Sequence, residues 1–188
     1  MPPFDDLPHL TVSLGSGGFA ALRQVPNVGI QFPLVTQQKE FWCWAAVSLS
    51  MRIFYQRNGD GMQQCQLAQA VFPGKACCSP GYACDEPAEL EVAMERAGIN
   101  ATRLDRALNQ AEITEQINNS RPVGVRVAWD PLHGHFVSIY GIYGGSAGDV
   151  WIEVADPDPD VGEKSTLLTS LTSCYRGTGY WSNSYLTG

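Results

Sequence analysis

The chain is short of positive charge: 12 Lys and Arg stand against 19 Asp and Glu, a formal net charge of −7. With no basic stripe and no aromatic-plus-Arg module, that balance excludes the usual nucleic-acid and phosphate-binding surfaces. Long apolar runs are missing too. No stretch approaches the ~20 apolar residues that a bilayer demands, so no membrane insertion is expected. Met1-Pro2-Pro3-Phe4-Asp5-Asp6 has neither the basic start nor the apolar core of a secretory signal. The chain is therefore cytosolic, or leaves its cell by a route without such a signal, or is one domain of a longer protein. Internal repeats and low-complexity segments are absent, and histidine is scarce: His9, His133 and His135. No two cysteines have the C-x-x-C spacing of a zinc site, which favours disulfides over a four-thiolate metal and leaves no metal expected.

What is present describes an ordinary globular protein. At 188 residues, 44% hydrophobic and 16% charged, the chain is expected to be a single domain with a real core. Four of its six cysteines, Cys65, Cys77, Cys78 and Cys84, fall within twenty residues. Adjacent Cys77 and Cys78 would be strained if bonded to each other, so each is expected to find a separate partner in Cys65 or Cys84. Both pairings remain open, and Cys174 is left over. Disulfides imply that the mature protein meets an oxidising compartment.

Residues 1–35 read as an extension holding one strand, Leu10–Leu14, and a flexible Gly15-Ser16-Gly17-Gly18 loop. Residues 36–120 read as a helical half. Helices are expected from about Cys43 to Gln56, over 62–72, from a start at Glu86-Pro87-Ala88-Glu89 to a stop at Gly98, and over Gln110–Asn118. The first of these carries Val47, Met51 and Phe54 at one-face spacing, with Ser48, Ser50 and Arg52 between, and stops at Asn58-Gly59-Asp60-Gly61. Residues 121–188 change character. Val123–Trp129, His135–Tyr143 and Val150–Ala155 are β-rich runs between Asp, Pro and Gly turns, and Gly177–Leu186 supplies another strand. The expected class is α+β: a helical half packed on an antiparallel β half, with a cleft between them.

The stretch Gln37-Gln38-Lys39-Glu40-Phe41-Trp42-Cys43-Trp44-Ala45-Ala46 suggests chemistry. A polar turn runs into a cysteine that opens a helix. Free N–H groups and the helix dipole at that position stabilise an anion, so a thiolate, the reactive form of cysteine, is favoured there. Such a nucleophile needs a base, and the base needs an orienting group. His135 opens a β run, where the backbone holds it firmly, whereas His133 sits on a turn and His9 near a terminus. Asp156 ends the run Val150–Ala155 and is followed by Pro157. If the two strands pair as a hairpin, His135 and Asp156 share one end of the sheet; Asp158 is the fallback. Attack on a carbonyl also needs donors for the oxyanion, which the Cys43 N–H and the amide of Gln37 or Gln38 could supply.

Gln37 six residues before Cys43, Trp44 after it, and a histidine and a carboxylate following in that order resemble the papain-like cysteine proteases. More narrowly, Pro33–Lys39 leading into Trp42–Ala46, Gln66-Leu67-Ala68, Cys77-Cys78, Gly134–Val137 and Asp156-Pro157 resemble the bacterial members. That group includes a plant-pathogen effector protease and relatives of the bacteriocin leader peptidases. The resemblance spans roughly residues 30–160. It implies a papain-like fold and a Cys43–His135–Asp156 triad, with Gln37 completing the oxyanion hole and no metal or organic cofactor. An aspartate replaces the carboxamide that orients the histidine in plant papains. The implied activity is endopeptidase cleavage of a specific protein by a secreted effector or toxin module delivered to a target cell, which allows for a cognate inhibitor or immunity protein. The same triad also serves peptidoglycan amidases, deamidases and transglutaminase-like enzymes, which differ in the acyl donor.

Overall fold

In the computed structural model, which describes residues 27–56, 61–80, 84–145 and 148–188, seven strands join in one sheet. The expected strand at Leu10–Leu14, the glycine loop, His9 and the turn at Asn58–Asp60 lie outside the described residues. The elements run β1 (Val28–Gly29), α1 (Cys43–Gln56), α2 (Gln64–Val71), α3 (Leu90–Arg96), β2 (Ala101–Leu104), α4 (Gln110–Asn118), β3 (Val123–Ala128) and β4 (Gly134–Gly144). They continue with β5 (Val150–Asp156), β6 (Gly162–Leu167), α5 (Leu168–Ser173) and β7 (Tyr180–Thr187). The sheet order is β2-β7-β3-β4-β5-β6, with β1 added on β4, and every pairing is antiparallel. The class is α+β, as the sequence leads one to expect. Two elements break the helix-then-strand order: β2 comes from the helical stretch and pairs with β7, and α5 lies between β6 and β7.

Two apolar cores hold this arrangement. One joins α1, α2 and α3 through Leu49, Met51, Leu67, Leu90 and Met94 to Phe136 and Tyr185 on the sheet. The other gathers Val125, Val137, Ile139, Ile152 and Val154 of the strands with Ile113 and Ile117 of α4 and Leu171 of α5. The β4–β5 register shifts between Ile139 and Gly141, the mark of a bulge. Beyond it, the inward positions of β4 pass from odd to even numbers, so Val137, Ile139 and Ile142 all enter the second core. Helix α4, nine residues long, is too short to be stable alone. Fully burying Ile113 and Ile117 contributes roughly 3–6 kcal/mol, enough to anchor it. Asn109 and Glu112 add a reciprocal cap at its start.

Helix α1 departs from the one-faced pattern. Every residue from Cys43 to Met51 is buried, Ser48 and Ser50 included. Their hydroxyls donate to the carbonyls of Trp44 and Ala46, four residues back, so neither enters the core unsatisfied. Ser50 Oγ also accepts the Val35 N–H, which docks the incoming segment on the helix. Helix α3 starts at Leu90, later than the sequence suggests. The Glu86 carbonyl accepts the Trp44 indole N–H, and Pro87 stays outside the helix. Gly98 ends α3 at φ 77°, where a glycine is needed.

The cysteines pair as Cys65–Cys78 and Cys77–Cys84, which settles the open connectivity; Cys174 is free and exposed. The stapled loop grips the start of α1 at three points. Trp42 Nε1 donates to the Cys84 carbonyl at 2.6 Å, Trp44 Nε1 to that of Glu86 at 3.0 Å, and the Phe41 N–H to the Asp85 carboxylate at 2.9 Å. Closing loops of 13 and 7 residues stabilises by roughly 2.5–3 kcal/mol each on chain-entropy grounds. Dithiothreitol is therefore expected to lower the melting temperature in a scanning experiment, and an unchanged melting point after verified reduction would contradict this role of the staple.

Candidate active site

Cys43 is the first residue of α1, and the first helical bond runs from the Ala46 N–H to the Trp42 carbonyl at 3.0 Å. The N–H groups of Cys43, Trp44 and Ala45 come before it and have no acceptor within the helix. They are the natural support for negative charge at that end. The two flanking indoles are tied to the stapled loop, so the cysteine sits on a braced turn. It lines a pocket of about 790 Å³ together with Trp129, His133 and His135.

His135 is the second residue of β4 and Asp156 the last of β5, and antiparallel pairing of the two strands sets them at one end of the sheet. His135 Nε2 and Asp156 Oδ1 are 2.6 Å apart. The other ring nitrogen, Nδ1, is not engaged by Asp156, and Cys43 is near enough to favour the charged ring. Burial alone would depress the imidazolium, but the hydrogen bond to Asp156 and the nearby Cys43 outweigh it and raise the His135 pKa to about 9. Asp156 is fully buried. Burial disfavours its charge, yet the His135 hydrogen bond and positive charge, the Asp158 N–H and the Tyr175 hydroxyl hold the carboxyl below its ordinary range. A charged pair is thus maintained out of water by donors aimed at both carboxylate oxygens.

The other candidates are placed differently. His133 is exposed on the β3–β4 turn, with Nδ1 2.7 Å from Asp130 Oδ2. Asp158 faces Arg176 at 2.7 Å, and it reaches Asp156 only through its backbone N–H, at 2.9 Å from Oδ1. Gln38 donates its backbone N–H to Gln64 Oε1. Gln37 lines the cleft beside Cys43. Its amide nitrogen donates to the carbonyls of Lys39 (3.0 Å) and Glu40 (2.9 Å), and its buried Oε1 has no partner among the described residues.

Three residues matter here that the sequence gives no signal for. Buried Gln64 donates to the Thr36 carbonyl at 2.7 Å and accepts from the Gln38 N–H at 3.0 Å, clamping the backbone on both sides of Gln37. The Gln37 N–H reaches the Pro157 carbonyl at 2.8 Å, tying this segment to the residue after Asp156. Tyr175 Oη donates to Asp156 Oδ2 at 2.8 Å, and Arg176 holds Asp158. Tyr175 and Arg176 lie in a stretch where no motif or periodicity points to chemistry, and only the folded loop brings them to the site.

Among the described residues no cluster of His, Cys, Asp and Glu could hold a metal ion, and no helix is long and apolar enough to cross a membrane. A family model described as papain-like cysteine protease AvrRpt2 matches residues 25–175. No curated protein gives a significant match to the chain.

Proposed function

The chain belongs to the AvrRpt2 family of papain-like cysteine proteases and is a hydrolase of that class; from that premise we propose that it cuts a specific protein target with Cys43 as nucleophile, His135 as acid and base, and Asp156 as orienting carboxylate. The observation that supports this most is that a helix-start cysteine and a histidine line one pocket while the histidine is hydrogen-bonded, at 2.6 Å, to a fully buried carboxylate.

The steps follow from the atoms. The Cys43 thiolate attacks the peptide carbonyl carbon, a C–S bond forms, and the carbonyl π electrons move onto oxygen. The Cys43 N–H and the Gln37 amide stabilise that oxyanion. Because both Gln37 donors point at carbonyls, one of those bonds is shared or released as substrate enters. The tetrahedral carbon re-forms its carbonyl as the C–N bond breaks, and protonated His135 gives its Nδ1 proton to the leaving amine. Neutral His135 then takes a proton from water, whose oxygen attacks the thioester carbon, releasing the acid and the Cys43 thiolate. Asp156 stabilises the imidazolium throughout and fixes which nitrogen faces the sulfur.

In this reading residues 1–188 are a single papain-like domain, with residues 36–120 and 121–188 forming the walls of the cleft. The disulfides and the family fit a bacterial effector or toxin that passes through an oxidising space on its way to a target cell. Its partners are then a protein substrate and a cognate inhibitor or immunity protein. Mapping new protein N-termini in cell lysate treated with the wild-type protein and with Cys43→Ala tests the reading. A small set of discrete cuts, absent with the variant, is expected. No new N-termini, but Cys43-dependent conversion of glutamine side chains or release of cell-wall peptides, would replace the peptidase with an amidase or deamidase.

A further inference from the structure

We propose that Tyr175 is a positioning residue of the reaction, a fourth member of the catalytic relay that aims and charges Asp156 from the side opposite His135. The assignment rests on the proposed roles of Cys43, His135 and Asp156 and extends them.

Asp156 has no exposure to solvent, so protein donors alone must stabilise its charge. Oδ1 receives His135 Nε2 at 2.6 Å and the Asp158 N–H at 2.9 Å. Among the described residues, Oδ2 receives only the Tyr175 hydroxyl, at 2.8 Å. Without that hydroxyl, one carboxylate oxygen would face a dry interior with nothing to hold it. The carboxylate plane would also be free to rotate away from the imidazole. A hydrogen bond to a charged acceptor out of water is among the stronger ones.

Tyr175 is itself held firmly. Its backbone exchanges both hydrogen bonds with Gly179, at 2.8 and 3.0 Å, closing a tight loop through Arg176 at φ 50° and Gly177 at φ 103°. Gly179 is required for the closure, since a Cβ there would lie 2.7 Å from the Tyr175 carbonyl oxygen and from Val127 Cγ1. Lys164 of β6 places its ammonium 4.1 Å from the centre of the Tyr175 ring. The neighbouring Arg176 pairs with Asp158 at 2.7 Å, fixing the residue whose N–H serves Oδ1. One dipeptide, Tyr175-Arg176, therefore serves both oxygens of Asp156, one directly and one through Asp158. The titratable and charged groups that face Asp156 and His135 are Cys43 from α1, Asp158 from the loop after β5, Lys164 from β6, and Tyr175 and Arg176 from the loop before β7. Of these only Tyr175 donates to Oδ2.

The test needs no knowledge of the substrate. The probe is iodoacetamide, and the readout is the pH profile of Cys43 alkylation, followed by mass spectrometry of the Cys43 peptide so that exposed Cys174 does not contribute. The profile of the unmodified protein is the reference, and His135→Ala is the control that removes the imidazole. In Tyr175→Phe, Asp156 takes up its proton earlier as pH falls, and the acid limb is expected to move up by about one pH unit, the shift that loss of one charge-assisted hydrogen bond gives. With 3-fluorotyrosine in place of Tyr175, a stronger donor of nearly the same shape, the limb is expected to move down; this arm decides the matter if the phenylalanine variant does not fold. Limbs unmoved in the folded variants would overturn the assignment while leaving the Cys43–His135 pair standing. A Cys43 alkylation profile that His135→Ala leaves unchanged would overturn both.

Discussion

Replacing Cys43 with alanine is expected to abolish peptide-bond cleavage while leaving the protein folded. Single removal of the nucleophile in a comparable acyl-transfer triad costs on the order of 10⁶-fold in kcat, because the remaining members cannot form the covalent intermediate. The structural cost should be small by comparison. Cys43 lies at the first turn of α1 and lines the pocket, and the helix is held by Trp42, Trp44 and its buried stretch to Met51. Losing one sulfur from such a position should change stability by about 1 kcal/mol or less. Circular dichroism and the melting temperature check the fold, and cleavage of a mapped target checks the chemistry. Wild-type turnover in Cys43→Ser or Cys43→Ala would remove the nucleophile from the mechanism.

The second large effect is expected for Asp156→Asn. The carboxamide can keep its oxygen toward His135 Nε2 and the Asp158 N–H while its NH₂ donates to Tyr175 Oη, although the tyrosine hydrogen then loses its acceptor. What is lost is charge. The imidazolium formed in the reaction no longer has a counter-ion, and kcat is expected to fall by roughly 10²–10⁴-fold, the upper end being the loss seen when an orienting aspartate becomes asparagine in a serine triad. The pH dependence should change with it. In the wild type, His135 holds its proton up to about 9, so activity that needs the charged ring is retained through neutral pH and lost as pH rises through about 9. In the variant that basic limb should move down toward the ordinary histidine range.

The same shifts set how stability varies with pH. His135 has a folded pKa above its unfolded one, so its contribution is complete below the ordinary histidine value of about 6.5 and lost as pH rises through about 9. Asp156 has a folded pKa below its unfolded one, so its contribution is present above the ordinary Asp value and lost as pH falls through the depressed one. Thermal melts across pH should therefore fall off on both sides, and a rise in melting temperature from pH 7 to 9 would contradict the charged His135.

Where the sequence spoke clearly, a strong local pattern was present. Helix α1 could be bounded at Cys43–Gln56 because a polar turn gives way abruptly to helical spacing, and β3, β4, β5 and β7 show as dense runs of β-branched and aromatic residues. Asp156 could be placed at a strand end because Pro157 stops the run. Strands β2 and β6 gave no such signal. Ala-Thr-Arg-Leu and Gly-Glu-Lys-Ser-Thr-Leu are the two ends of the sheet order, neither has a fully buried residue, and they are strands because β7 and β5 pair with them. In α5, Leu171 is the only buried residue of a six-residue helix rich in Thr and Ser, too little for periodicity to register. The all-round burial of α1 was hidden because Ser48 and Ser50 look like a polar face until their back-bonds are seen. For Tyr175 and Gln64 the reason is different. Each acts through contacts across 19 or 26–28 residues of chain, set by tertiary closure that no local spacing encodes.

The central claim is that His135 is a charged ring held between a sulfur and a buried carboxylate, and its own titration tests this most directly. Following the His135 imidazole by NMR across pH, in the wild type and in Cys43→Ala, should show a ring that titrates near 9 in the first and at a distinctly lower pH in the second. A ring that titrates near 6.5 in both proteins, as an isolated histidine does, would contradict the account.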